Sequence, residues 1–194
     1  MSKIISRLLS STASGSPAFS TFSIRSSPHL PDYLVVHPIG YPADVPPLFT
    51  IVTSQSKPNV SIFRGHPDPA NKLGDATMHT FSSSIDLSHR GHMGKLKTNS
   101  LSGNFTLQSP AGKYKWVPGQ ITGSSLELRD GSGTKIATLK SAGFPGSGER
   151  KLDLFIPCDD MFVELIVLSG MAAKTSQKQT EEAAAEIAQA VAGA

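Results

Sequence analysis

The chain has 194 residues, a mass of 20.5 kDa and a formal net charge of +3, a length that suits one domain with extended ends. Its single cysteine, Cys158, excludes an intramolecular disulfide and any zinc site built on several cysteines. The charge is unevenly spread: residues 1–31 carry Lys3, Arg7 and Arg25 without an acid, and the run 87–126 carries only Arg90, Lys95, Lys97, Lys113 and Lys115.

The first 31 residues are rich in Ser and small side chains, with Ile4, Ile5, Leu8 and Leu9 at helical spacing. Two readings stand: a mitochondrial transit peptide, or a basic Ser-rich disordered tail. Arg7 interrupts the apolar run, so a secretory signal is excluded, and the sequons at Asn59 and Asn104 are expected to be unused. On either reading residues 1–31 lie outside the fold, and the domain begins at residue 32.

The middle of the chain reads as short strands. Apolar, β-branched or aromatic runs occur at 33–37, 48–53, 60–64, 76–81, 84–87, 95–98, 104–108, 113–117, 125–129, 135–139 and 151–156. Ser109-Pro110-Ala111-Gly112, Asp130-Gly131-Ser132-Gly133 and Gly143-Phe144-Pro145-Gly146 break them. Turns at this spacing predict an antiparallel sandwich or barrel rather than alternating strands and helices.

The pattern then changes. Asp159-Asp160 after Pro157 is a helix-start signal, and residues 161–173 are apolar almost all round. That predicts a helix buried on every side, too short at about 20 Å to cross a bilayer. A final edge strand over Phe162-Val163-Glu164-Leu165-Ile166-Val167-Leu168 is the competing reading. Residues 175–194, rich in Ala, Gln and Glu, predict a loosely attached tail helix carrying an Ile187/Val191 stripe.

Two long segments, GKYKWVPGQITGSSLELRDGSGTKIATLKS and KLDLFIPCDDMFVELIVLSGMA, resemble the tubby C-terminal-like superfamily, which holds tubby proteins, phospholipid scramblases and LURP-one-related proteins. The likeness spans about residues 33–173 and is nearest to small fungal members. It implies a closed antiparallel β-barrel around a hydrophobic C-terminal helix, with residues 32–174 as the barrel domain. It also implies phosphoinositide binding through basic side chains, although no lysine–arginine motif of tubby maps here residue by residue. The proline-rich and cysteine-rich segments of scramblases are absent.

The candidate site is basic. In Lys95-Leu96-Lys97 and Lys113-Tyr114-Lys115-Trp116 the strand period of two turns Leu96, Tyr114 and Trp116 inward and the lysines outward. Lys95, Lys97, Lys113 and Lys115, with Arg90, are the expected anion-binding set. The plain alternative is lysine that keeps exposed strands soluble.

Other constellations fall short. His79, His89 and His92 lack a third ligand type at metal spacing, and the Gly between His89 and His92 predicts surface-turn histidines. Gly143–Gly148 is followed by Glu149 rather than Lys-Ser/Thr, so it is a turn and not a phosphate loop. Cys158 is expected to be structural, since adjacent carboxylates disfavour a thiolate. No nucleophile elbow or acid–base carboxylate pair stands out. The expectation is a non-catalytic binding module without metal or cofactor, with anionic membrane lipid as partner and nucleic acid disfavoured. A protein-interaction scaffold is the runner-up. The location expected is cytoplasmic or peripheral to a membrane, or mitochondrial if the first segment is an address.

Overall fold

Alternation of side chains across the strands builds a wall with one dry face. The computed structural model describes residues 17–29, 32–42, 44–79, 82–119, 125–143 and 148–192. They form strands β1 (Ser20–Ser26), β2 (Tyr33–Pro38), β3 (Phe49–Thr53), β4 (Val60–Arg64), β5 (Lys72–Met78) and β6 (Ser84–His89). β7 (His92–Asn99), β8 (Asn104–Ser109), β9 (Gly112–Pro118), β10 (Leu126–Arg129), β11 (Lys135–Ser141) and β12 (Arg150–Leu154) follow, and one helix, α1 (Asp160–Ala192), ends the chain. Each strand pairs antiparallel with its sequence neighbour, and β1 pairs with β12 to close the barrel.

Strand number sets the bore. A barrel of about eight strands is filled by its own side chains, whereas wider barrels leave room inside. Here the room holds a helix. Every residue of α1 from 163 to 173 is buried, packed against inward residues such as Ile51, Ile62, Leu96, Phe105, Leu128 and Leu139. A helix surrounded by wall on all sides has no polar face to present, which is why this stretch is apolar apart from Glu164 and Ser169, both hydrogen-bonded to the wall.

Small residues set the fit between helix and wall. A Cβ on Gly170 would stand 3.0 Å from Cζ2 of Trp116, so the helix needs glycine where the indole lies against it. The neighbouring Ser169 accepts a 3.1 Å hydrogen bond from the Trp116 Nε1–H, which satisfies the one polar group of a fully buried side chain. On the opposite wall a Cβ on Gly74 would meet the Ser88 carbonyl oxygen at 2.3 Å and Leu168 at 3.1 Å.

Helix entry follows the sequence signal. Asp159 Oδ1 accepts from the Phe162 backbone N–H at 2.7 Å, and Val163 N–H donates to the Asp159 carbonyl at 3.0 Å; this is an N-cap. The edge-strand alternative over 162–168 is thereby set aside. The tail helix expected from residue 175 is continuous with the buried one, because α1 runs unbroken for 33 residues, about 50 Å at the usual rise. Its last turns from Lys178 to Ala192 are exposed. Among the described residues no helix is long and apolar enough to cross a membrane.

Two strand expectations need correction. Residues 20–26, assigned to a tail outside the fold, form β1, so the barrel begins well before residue 32. Only Phe22 and Ile24 turn apolar side chains inward, and the intervening Ser, Thr and Arg hide the period. Cleavage at residue 31 would remove this strand. Residues 1–16, 30 and 31 lie outside the described residues. β5 starts at Lys72 instead of residue 76, because Gly74-Asp75 reads as a turn while the backbone carries a register shift between Ile62 and Phe63 of its partner. Phe81, the expected end of that strand, is outside the described residues.

Candidate anion-binding site

The hairpins of β7, β8 and β9 bring the predicted lysines together. In the register, Lys95 stands opposite Gln108 and Gln108 opposite Lys113; Lys97 stands opposite Thr106 and Thr106 opposite Lys115. The four lysines therefore mark the corners of a rectangle on the outer face. Strand spacing and rise make it about 10 Å by 7 Å between Cα atoms. All four are exposed, while Leu96 and Trp116, on alternate positions of the same strands, are fully buried and Tyr114 is partly buried. Gln108 and Thr106 occupy the middle and offer an amide and a hydroxyl.

Acids from the flanking strands bound this rectangle. Asp86 on β6 lies 3.5 Å from the Lys95 ammonium and 2.8 Å from His79 Nε2. Its carboxyl is held below the ordinary range, first by the His79 hydrogen bond and then, against desolvation, by the Lys95 charge. On the other side Glu127 pairs with Arg129 at 2.6 Å and Lys135 at 3.1 Å. Among the described residues no ion pair involves Lys97, Lys113 or Lys115. Three free cations and one half-committed one remain.

Arg90 does not join them. It occupies the β6–β7 turn with φ 47°, followed by Gly91 at φ 78°, the positive pair of a type I′ hairpin. Its guanidinium grips Glu164 of α1, Nε donating to Oε2 at 2.7 Å and Nη2 to Oε1 at 2.9 Å. A charge neutralised by a bidentate carboxylate is not offered to a ligand, so Arg90 leaves the expected set.

Glu164 is the group that sequence reasoning passed over. It is fully buried, and Arg64 and His89 also reach it, His89 Nε2 at 3.0 Å from Oε2. Arg64 further contacts Asp160 at 3.3 Å. His89, expected on the surface, is buried for the same reason. The available signal was a lone acid inside an apolar helix, since a buried charge demands partners. This cluster ties the start of α1 to β4 and to the β6–β7 turn. His79 is committed to Asp86, and among the described residues no three His, Cys, Asp or Glu side chains gather as metal ligands.

The cluster predicts a pH dependence of stability. Burial alone would raise the Glu164 pKa, but hydrogen bonds from Arg90, His89 and Arg64 outweigh it and lower it from 4.5 to about 2. A depressed carboxylate contributes stability in full above its unfolded value and loses it as the pH falls toward the folded one. The shift corresponds to about 3 kcal/mol at most, less because the arginines keep contact with water. Glu164→Gln should therefore melt well below the native chain at pH 7, and the gap should narrow between pH 5 and pH 2. A gap that stays constant with pH would contradict this assignment.

Cys158 is partly buried, and burial together with Asp159 pushes its thiol pKa up, which suits a packing role. No protein-family model, no curated protein and no solved structure matches the chain.

Proposed function

We propose that the protein is a non-catalytic binding module whose β7–β9 face takes anionic, phosphoinositide-like lipid headgroups at a membrane surface. The observation that carries this reading is the shared register of Lys95, Lys97, Lys113 and Lys115 around Gln108 and Thr106. Ammonium groups at the corners and neutral donors at the centre suit a phosphate that sits over the sheet. A closed barrel around a C-terminal helix supports placing the chain as a distant member of the tubby C-terminal-like superfamily, where such binding is expected.

Vesicle sedimentation tests the reading. The protein should pellet with vesicles containing phosphoinositide or phosphatidylserine and remain in the supernatant with neutral ones. Each free lysine near an anionic surface contributes about 1 kcal/mol, so replacing all four by Gln should weaken binding on the order of a hundredfold. Salt should weaken it too, as the screening length falls from about 10 Å at 0.1 M to about 3 Å at 1 M. Equal binding to neutral vesicles, or full binding by the fourfold variant with native thermal stability, would refute it.

The exposed end of α1 favours a second reading, a scaffold that recruits a protein. Ile187 and Val191 are 67% and 74% exposed one turn apart, an apolar stripe with no cover. Ending the chain after Lys178 would remove that stripe and leave vesicle binding unchanged if the lysine face acts alone.

A further inference from the structure

A cavity of about 440 Å³ lies where α1 enters the barrel, between the β6–β7 turn, the β8–β9 turn and the first turns of the helix. Its volume falls in the range of small-molecule sites, roughly 300–1,000 Å³. Side-chain size explains why it is there. One inward row of the wall is Ile85, Leu96, Leu107 and Tyr114, which fills its space. The next row toward the turns contains Leu87 opposite Gly94, and Ser109 opposite Gly112. Where bulky residues stop, the interior opens. Gly94 has a backbone reason as well, since a Cβ there would stand 3.0 Å from the Gln108 carbonyl oxygen.

The walls are mainly apolar, from Leu87, Tyr114, Met161, Phe162 and Leu165. The polar groups beside them are mostly spent within the protein. Tyr114 donates to the Ala111 carbonyl at 2.8 Å and Ser109 to the Gly112 carbonyl at 3.3 Å. Asp159, the carboxylate at the rim, caps Phe162, where the positive end of the helix offsets its charge. The tilted Tyr114–Phe162 ring contact, 5.1 Å between centroids, joins wall to helix.

The cavity also adjoins the lysine face. Lys95 directly follows the lining residue Gly94, and Lys113 directly precedes the lining residue Tyr114. Both head the row nearest the turns, with side chains on the outer face. An apolar chamber beside a cationic row matches a molecule with an apolar tail and an anionic head. We propose that this cavity takes the hydrocarbon chain of a single-chain anionic amphiphile, an alkyl phosphate or a lysophospholipid, whose head rests on Lys95 and Lys113. The head contact rests on the lysine face described above; the chain contact does not.

Calorimetric titration with octyl, decyl and dodecyl phosphate below their micelle concentrations tests this. Burying each added methylene should raise affinity about fourfold. Ala111→Trp narrows the chamber from an exposed turn, and Met161→Asp puts a carboxylate beside it at a helix start that tolerates acids. Each should cut dodecyl phosphate binding at least tenfold and leave phosphoinositide-vesicle sedimentation intact. Lys95→Gln with Lys113→Gln should lower affinity for every chain length while keeping the fourfold gain per methylene, about fifteenfold between successive members of the series. A flat chain-length series, or unchanged binding by both chamber variants, would overturn the cavity assignment whatever the vesicles show. A preserved series with no loss in the double lysine variant would overturn the head placement alone. Thermal melts of each variant exclude unfolding as the cause.

Discussion

A chain truncated to begin at Ser27 should fail to fold cooperatively. β1 is the strand that closes the barrel, held by register pairs from Ser20 opposite Leu154 to Ile24 opposite Arg150, and from Phe22 opposite Pro38 to Ser26 opposite Leu34. Its removal strips β12 and β2 of one ladder partner each, leaving them paired only with β11 and β3, and opens the barrel at that seam. Thr21, which donates to Asp153 at 2.9 Å, and Arg25, which donates to the Tyr41 carbonyl at 2.8 Å, are lost with it. Ile24, 1% exposed, leaves a gap in the core. An open wall also admits water to α1, so the loss should rival the entire stability of a domain, about 5–15 kcal/mol. Circular dichroism should show a broad, non-cooperative melt. A sharp transition within a few degrees of the full chain would mean that β1 contributes nothing to closure.

Ile166→Asp should be nearly as damaging. Ile166 is fully buried, and the helix around it has no face toward water, so the new carboxylate cannot turn outward. An unpaired charge or its protonated form in such a core costs several kcal/mol. Ile187→Asp, on the exposed part of the same helix, should change stability by less than about 0.5 kcal/mol. Chemical denaturation of the two variants separates a central helix from an appended one. Equal midpoints would contradict the barrel-plug arrangement.

Legibility in the sequence followed the strength of local pattern. β7 and β9 alternate Lys with Leu, Tyr and Trp, so both their existence and the outward direction of the lysines could be read. Asp159-Asp160 marked the helix start. Pairing across strands was not readable, because register depends on turn lengths far from any one residue. That is why the convergence of Lys95 with Lys113, and the approach of Asp86 from β6, came only with the fold. Arg90 was misplaced for a related reason: composition counts its charge, but not the buried Glu164, far along the chain, that neutralises it. β1 was missed because Ser and Thr face its outer side and resemble a disordered tail. The continuity of α1 past Ala173 was blurred by the shift from apolar to polar residues where the helix leaves the barrel.

The most direct test of the lysine face is amide chemical-shift mapping of the folded protein titrated with inositol 1,4,5-trisphosphate at low salt. The soluble headgroup removes any contribution from lipid chains or bilayer curvature. Shifts should concentrate on Lys95, Lys97, Thr106, Gln108, Lys113 and Lys115 and vanish in the fourfold Gln variant. Shifts centred on another surface, or none at millimolar headgroup, would contradict the account.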